Sequence, residues 1–167
     1  MKLLETKCEL LAPAGRWDAL TAVIDAGADA VYIGGKRFNM RLHRSDFNFT
    51  DEQIADAVQY AHSKKVKLYI TVNNLLSDDE LDDMIYYLNY LSEIHVDAII
   101  VQDLGVLHLA KQSGISIPIH ISTMMNIQNS ESALTLKELG VSRIVTSRDV
   151  SLAQVKEIQQ KTAIEVE

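Results

Sequence analysis

The feature that most constrains this chain is a repeated alternation of short apolar runs with longer segments of helical periodicity. Seven runs of strand length occur, at residues 9–12, 30–33, 66–72, 98–101, 117–121, 143–146 and 164–166. Between them, apolar residues recur at helical spacing, as in Ile54, Val58 and Ala61. Strands that alternate with helices of this length indicate βαβ units and a parallel sheet.

The boundaries of the predicted helices carry clear sequence signals. A Ser or Thr followed three residues later by Gln or Glu predicts a capping box, and this pattern occurs at Thr50, Ser77 and Ser151. Glycines at positions 27, 114 and 140 follow the helical segments, where left-handed C-terminal caps are common. A weak repeat accompanies them, because Gly-Ala-Asp at 27–29, His-Val-Asp at 95–97 and Gly-Val-Ser at 140–142 each precede a strand.

The series of units predicts an incomplete (β/α) barrel of the TIM type. A complete eightfold barrel needs about 250 residues, whereas this chain has 167 residues and holds six βα units plus a strand. We therefore expect residues 1–167 to be the N-terminal part of one barrel domain, with a C-terminal part absent. Such a fragment exposes two sheet edges, which predicts self-association through them.

Composition narrows the setting in which the protein works. The formal charge is −7, which argues against a general nucleic-acid coat protein, and no apolar run approaches the roughly 18 residues of a membrane span. Cys8 is the only cysteine, so the chain offers no disulfide framework and no cysteine metal site. We expect a cytoplasmic protein that binds neither membrane nor metal through these residues.

Side-chain alternation predicts which polar residues point into the barrel. Apolar residues of one parity must face the helices, so the other parity faces the lumen, and active sites lie where barrel strands end. This rule brings five polar residues to one mouth: Asn73, Gln102, His120, Ser122 and Arg148. Each Asn or Gln could instead bond a neighbouring strand end.

Two of these residues are candidates for catalysis. His120 can serve as acid, base or ligand near neutral pH, although a satisfied core histidine is the alternative. Arg148 suits a carboxylate or phosphate, unless it pairs with Asp149 or Glu138.

The connection after the second strand is the other unusual segment. It runs from position 34 to 49, far longer than the two to six residues usual for such loops. It holds Lys36, Arg37, Arg41, His43 and Arg44, and also all three phenylalanines, Phe38, Phe47 and Phe49. Basic residues interleaved with aromatic ones suit an anionic small molecule or an unstacked base of RNA. The alternative is a loop whose phenylalanines cover the core while its arginines stay solvated.

Two features favour structural roles. The acidic run at 78–83 is best explained by a helix N-terminus, where negative charge offsets the helix dipole. Tyr86, Tyr87 and Tyr90 fit packing and surface positions on the same helix. The hydrolase signatures Gly-x-Ser-x-Gly and His-Glu-x-x-His are absent from the sequence.

Several segments form a series of motifs along the chain. The first three read Glu-Leu-Leu-Ala-Pro-Ala-Gly at 9–15, Gly-Ala-Asp-Ala-Val-Tyr-Ile-Gly-Gly at 27–35, and Val-Gln-Asp at 101–103. The series continues through Ile-His-Ile-Ser-Thr at 119–123 with Asn126, and Leu-Gly-Val-Ser-Arg-Ile-Val at 139–145 followed by Arg148. Within the long loop it includes Phe38, Arg41, Asn48 and Phe49. In this order, the motifs resemble the collagenase-like peptidases, peptidase family U32.

The resemblance implies an activity for the full-length protein. Family members are linked to hydroxylation of tRNA and rRNA bases, to hydroxylation in ubiquinone synthesis, and to a reported collagenase activity. Several carry an iron–sulfur cluster on cysteines of the C-terminal half, so a cluster is expected in the full-length protein and not in this chain.

Three hypotheses follow from the residues and the resemblance. The first is hydroxylation of a nucleobase in tRNA or rRNA, the second is a peptidase, and the third is an inactive scaffold. For the first, we expect His120 and Arg148 to be catalytic. The expected substrate-binding residues are Lys36, Arg37, Phe38, Arg41, Arg44, Asn73, Gln102, Ser122 and Asn126.

Overall fold

Seven parallel strands in chain order form a curled half-barrel in the computed structural model, which describes residues 8–44 and 46–167. The strands are β1 (Leu11–Pro13), β2 (Ala30–Gly34), β3 (Lys67–Val72), β4 (Ala98–Val101), β5 (Ile119–Ile121), β6 (Arg143–Ile144) and β7 (Glu165–Val166). The helices are α1 (Trp17–Asp25), α2 (Asp51–Ser63), α3 (Leu81–Glu93), α4 (Leu104–Gln112), α5 (Ser130–Glu138) and α6 (Leu152–Thr162). Each predicted apolar run overlaps one of the strands, and the predicted parallel sheet is confirmed.

Local signals placed the helix boundaries correctly. The three predicted capping boxes are present. The side chains of Thr50 and Ser151 each accept a hydrogen bond from the backbone N–H of the third helical residue, and Glu80 accepts one from the backbone N–H of Ser77 at 2.9 Å. Glycines 27, 114 and 140 have φ values of 97°, 67° and 93° after α1, α4 and α5. These are left-handed conformations that glycine adopts without steric cost.

The two faces of the sheet bury different sets of residues, as the alternation predicted. Leu68, Ile70 and Val72 of β3 belong to the large apolar core between the sheet and its helices. The lumen holds a second, smaller cluster made of Ala30, Tyr69, Ala98 and Ile100. The residues that point into the lumen near the strand ends are therefore the ones that a ligand can contact.

The repeated polar residue before each strand ties that strand to its neighbour. Asp29 accepts a hydrogen bond of 2.9 Å from the backbone of Leu10, and Asp97 accepts one of 2.7 Å from the backbone of Leu68. Ser142 donates to a carbonyl of β5 at 2.9 Å. The weak repeat thus marks the points where entering strands are held in register.

The acidic run lies at a helix N-terminus, as predicted. Asp78–Glu80 form a short 3₁₀ helix that leads directly into α3. Within residues 8–44 and 46–167, no group of three or more His, Cys, Asp or Glu could hold a metal ion. Tyr87 of α3 is buried and Tyr86 is exposed. No helix in the described part of the chain combines the length and apolar character needed to cross a membrane.

Candidate functional site

A cleft of about 730 Å³ opens where the strands end at their carboxyl edge. Its walls come from the turn after β1, the loop after β2, and the ends of β3 to β7. The polar and charged residues that line it are Asn39, Arg41, Asn48, Thr71, Asn73, Ser122, Thr123, Arg148 and Glu167. Apolar surface is supplied mainly by Tyr32, Ile33, Met40, Phe47, Ile100, Met124 and Val145. This is the edge at which barrel enzymes bind their substrates.

The loop between β2 and α2 forms one wall because it docks on the turn after β1. A Cβ atom on Gly15 would lie 1.8 Å from Cδ1 of Phe47, so the phenylalanine ring occupies the space that glycine leaves. The backbone N–H of Asn48 donates to the carbonyl of Gly15 at 3.0 Å. Gly34 makes room in the same way, since its Cβ would lie 2.9 Å from Oδ1 of Asn48. The glycines of the two quoted motifs therefore permit close approach of this loop.

Three asparagine side chains hold the middle of the loop. Oδ1 of Asn39 accepts from the backbone N–H of Arg41 at 2.7 Å, and Nδ2 of Asn48 donates to its carbonyl at 2.8 Å. Asn73, which follows β3, accepts from the backbone N–H of Met40 at 3.3 Å. Asn48 itself has a φ of 82°, a left-handed conformation that asparagine tolerates better than most residues. The backbone of Arg41 is thereby fixed at the cleft.

The structure brings four of the predicted site residues together in the cleft: Arg41, Asn73, Ser122 and Arg148. Ser122 is buried, and its Oγ accepts from the backbone of Met124 at 3.3 Å, which leaves its hydroxyl proton for a ligand. The side chains of Arg41 and Arg148 are exposed and form no hydrogen bond or ion pair with the described residues.

The other predicted residues lie outside the cleft lining: His120, Gln102, Asn126, Lys36, Arg37, Arg44 and Phe38. Arg37 pairs with Asp51 at 2.7 Å, and Arg44 pairs with Asp46 at 3.0 Å. Phe38 is buried and packs against Tyr87, with ring centroids 5.5 Å apart. Part of the loop thus follows the alternative in which phenylalanines cover the core.

His120 lies one layer below the cleft. Ser122 directly follows β5, and His120 stands two residues before it, which places His120 roughly 6.6 Å deeper along the strand direction. Its ring is 5% exposed and contacts Tyr69 edge-on, with centroids 4.8 Å apart. Burial, and then the charge of Arg143, lower the pKa of His120 to about 4, and its Nδ1 has no hydrogen-bond partner among the described residues. His120 is therefore neutral at pH 7.

A charged network forms the floor beneath it. Glu9 accepts hydrogen bonds from Nη1 of Arg143 at 2.7 Å, from the hydroxyl of Tyr69 at 2.8 Å and from Nζ of Lys67 at 2.9 Å. Arg143 also pairs with Glu165 at 2.8 Å. The network joins strands from both sides of the half-barrel and closes the lumen below the cleft.

Sequence reasoning missed some residues that line the cleft. From the sequence, Phe47 is noted only as an aromatic residue of the long loop and Asn48 only in the family resemblance, and Asn39 receives no role. All three reach the cleft because the loop folds onto the turn after β1. Glu167 also reaches the cleft, and burial raises its pKa. An asparagine in a long loop is a weak signal, because many asparagines occupy turns without a ligand.

The iron–sulfur cluster implied by the resemblance does not fit the residues present. Such clusters use four cysteine ligands as a rule, whereas the chain has one cysteine, Cys8, which is exposed.

Comparisons with known proteins agree with the fold and with the family resemblance. The model of Peptidase family U32 matches residues 15–167. The chain is 33% identical over 166 residues to tRNA hydroxylation protein P1 of Bacillus subtilis, covering 99% of this chain and 39% of that protein. It is 37% identical over 167 residues to the 23S rRNA 5-hydroxycytidine C2501 synthase of Escherichia coli, covering 100% of this chain and 25% of that protein.

A solved structure of a U32 peptidase superposes with a TM-score of 0.79 at 15% identity, covering 99% of this chain and 71% of that one. At this identity the superposition supports the fold alone. The chain spans well under half the length of the two curated relatives. The match of the family model over nearly all of the sequence shows that the chain belongs to peptidase family U32.

Proposed function

We propose that this chain provides the base-binding half of a barrel that hydroxylates a nucleobase in tRNA or rRNA. The observation that carries the proposal is the cleft of about 730 Å³, which combines apolar walls, polar side chains and two unpaired arginines at the active edge of the barrel. The printed names of the two curated relatives, which refer to tRNA and rRNA hydroxylation, support the choice of RNA. We place this activity in the cytoplasm.

The size and lining of the cleft suit an unstacked base. Sites for small molecules have volumes of about 300 to 1,000 Å³ and combine apolar walls with a few polar groups. Tyr32, Phe47 and Met124 supply flat or adaptable surfaces against which a base can pack. The hydroxyl of Ser122 and the free amide nitrogen of Asn73 are positioned to bond polar atoms of its edge.

The role we assign to these residues is binding and orientation. Hydroxylation converts a C–H bond of the base into C–OH and requires an oxygen donor, and we assign no covalent step to this chain. An unstacked base held by its edge presents one carbon atom to a reagent, which is how enzymes that modify bases select their target.

The test is made in the organism that encodes the protein. The gene is deleted, tRNA and rRNA are digested to nucleosides, and hydroxylated nucleosides are measured by mass spectrometry. We expect one of them to disappear, and to return with the wild-type gene but not with Arg148→Ala. Arg16→Ala is the matched control, because Arg16 pairs with Asp18 outside the cleft. Unchanged hydroxylated nucleosides in the deletion strain would overturn the proposal.

The second candidate is a peptidase, which the family name favours. Against it, no hydrogen bond joins His120 to a Ser, Thr or Cys among residues 8–44 and 46–167, so no activated nucleophile is assembled there. Cleavage of gelatin by the purified full-length protein, lost on His120→Gln in a stably folded variant, would favour the peptidase over RNA hydroxylation.

A further inference from the structure

We propose that Arg41 and Arg148 bind two backbone phosphates of single-stranded RNA at the rim of the cleft, while the base between them enters it. This inference deepens the proposed function and rests on it for the identity of the nucleic acid. It assigns the phosphate contacts to Arg41 and Arg148, and it assigns none to the other basic residues of the long loop.

The pairing of the loop arginines separates them into two kinds. Arg37 and Arg44 are neutralised by Asp51 and Asp46, and their guanidinium groups also stack on aromatic rings, at 4.9 Å from Tyr87 and 4.6 Å from Phe47. An arginine already paired and stacked gains little from a new anion. Arg41 has neither partner among the described residues and lines the cleft.

The backbone of Arg41 is also held more firmly than its position in a long loop would require. Its N–H donates to Asn39, and its carbonyl accepts from Nδ2 of Asn48 and from the backbone N–H of Arg44 at 2.9 Å. Asn39 is itself buried and bonds the carbonyl of Gly35. Fixing the backbone in advance lowers the entropy lost when the side chain binds a ligand.

Arg148 reaches the same cleft from the opposite end of the sheet, after β6. Neither of its predicted acidic partners pairs with it in the described residues, so its five N–H donors remain for a ligand. Glu167 is the one other charged side chain among those that line the cleft, and it lies 3.8 Å from Arg143. The described cleft is thus more positive than the protein as a whole, whose formal charge is −7.

The exposure of the two arginines selects the kind of anion. Both side chains are exposed, and the lining of the cleft also includes Met40 and Met124, which are each 46% exposed. A charge carried into the interior would need buried partners, whereas the phosphates of an RNA strand stay in water while its base leaves the stack. Arginine binds phosphate with two parallel hydrogen bonds, and thioethers pack on the flanking bases.

Binding of a labelled single-stranded RNA pentanucleotide, followed by fluorescence anisotropy across a salt series, tests this proposal. We expect Arg41→Ala and Arg148→Ala each to weaken binding by about 10-fold or more. Each should also make the slope of log affinity against log salt concentration shallower by about 0.7, the value for one phosphate contact with a single strand. Arg37→Ala is the matched control, because Arg37 pairs with Asp51 outside the cleft. It removes the same charge from the same loop and should change affinity less than 3-fold, roughly the limit for an exposed pair.

The other arms distinguish the source of the phosphate. The same pentanucleotide with uncharged methylphosphonate linkages should bind the wild type and the two arginine variants about equally. Inorganic phosphate should compete only weakly, because it lacks the base.

Two results would overturn the inference: equal losses for Arg37→Ala and Arg41→Ala, or competition by inorganic phosphate as strong as by the RNA. If RNA binds as expected while the deletion strain keeps all its hydroxylated nucleosides, the phosphate site stands and the proposed hydroxylation fails.

Discussion

Glu9 and Arg143 are 134 positions apart in the chain, yet Oε1 of the first lies 2.7 Å from Nη1 of the second inside the lumen. Glu9 stands just before β1 and Arg143 begins β6, so the ion pair joins the two sides of the curled sheet. The arginine also lies over the ring of Tyr69, 5.4 Å from its centroid. The pair therefore helps to set the curvature of the sheet, which brings the carboxyl ends of the strands around the cleft.

Loss of the Glu9 charge should destabilise the fold in a pH-dependent way. Burial alone would raise the pKa of Glu9, but hydrogen bonds from Arg143, Lys67 and Tyr69 lower it from 4.5 to about 2. A carboxylate with a depressed pKa stabilises the fold above pH 4.5, and this contribution disappears as the pH falls toward 2. We expect Glu9→Gln to reduce the free energy of unfolding by about 1 to 3 kcal/mol at pH 7.

Urea unfolding of the wild type and Glu9→Gln at a series of pH values measures this effect. The difference between the two proteins should shrink below pH 4.5. Glu93→Gln, an exposed position at the end of α3, is the control and should change stability by less than about 0.5 kcal/mol. A Glu9→Gln protein as stable as the wild type at pH 7 would mean that the pair does not hold the barrel together.

His120 should stay neutral until the solution is strongly acidic. Burial and the charge of Arg143 lower its pKa from 6.5 to about 4, so the unfolded chain takes up a proton before the folded one does. Stability therefore decreases as the pH falls from 6.5 toward 4, by up to about 3 kcal/mol from this residue. His120→Gln should remove that part of the pH dependence.

The imidazole signals of the five histidines, followed by NMR against pH, check this directly. The signal missing from the His120→Gln spectrum should titrate near pH 4. A midpoint near 6.5 would contradict the burial of the ring and would restore His120 as an acid at neutral pH.

Gly15→Ala should displace the long loop. The added Cβ would lie 1.8 Å from Cδ1 of Phe47, so the ring must move away from the turn after β1. We expect a loss of about 1 to 3 kcal/mol in the free energy of unfolding together with weaker RNA binding. Adding Phe47→Ala to Gly15→Ala should recover part of the stability, because the clash is gone. Equal stability of Gly15→Ala and the double variant would argue against that contact.

Asn48→Gly removes hydrogen bonds that order the long loop and leaves the charge of Arg41 in place. Glycine accepts the φ of 82°, but the hydrogen bonds from Asn48 to the carbonyls of Arg41 and Arg44 are lost. We expect RNA affinity to fall by roughly 2- to 10-fold, the equivalent of one or two hydrogen bonds. The salt slope should stay unchanged, because Arg41 still reaches its phosphate once bound. A lower slope would mean that Asn48→Gly removes a phosphate contact itself.

The two edge strands predict concentration-dependent self-association. β1 and β7 are the outer strands of the described sheet. In β7 the N–H groups of Glu165 and Glu167 bond to the neighbouring strand, so the N–H of Val166 faces the open edge. Light scattering should detect dimers that Val166→Pro reduces, while Leu152→Ser, at an 87% exposed leucine of α6, leaves them unchanged. A wild-type protein that stays monomeric at all concentrations would contradict edge pairing. So would a loss of dimers with Leu152→Ser and not with Val166→Pro.

The sequence by itself determined the architecture, because the signals involved are local. Strand and helix periods, the capping box at Thr50 and the glycine at position 27 depend on residues within a few positions of one another. The same periodicity correctly predicted that Leu68, Ile70 and Val72 face the helices and not the lumen. The family followed from motifs in their order along the chain.

Only the tertiary structure decided which of the inward polar residues meet in the cleft. His120 and Ser122 share a parity, but the register of β5 puts the first one layer below the cleft and the second in the cleft lining. Three arginines of one loop look alike in sequence, and Arg41 differs from Arg37 and Arg44 only because the folded loop brings an aspartate to each of the others. Depth in a barrel and the pairing of charges depend on strands and loops that are distant in the chain, and no local pattern encodes those distances.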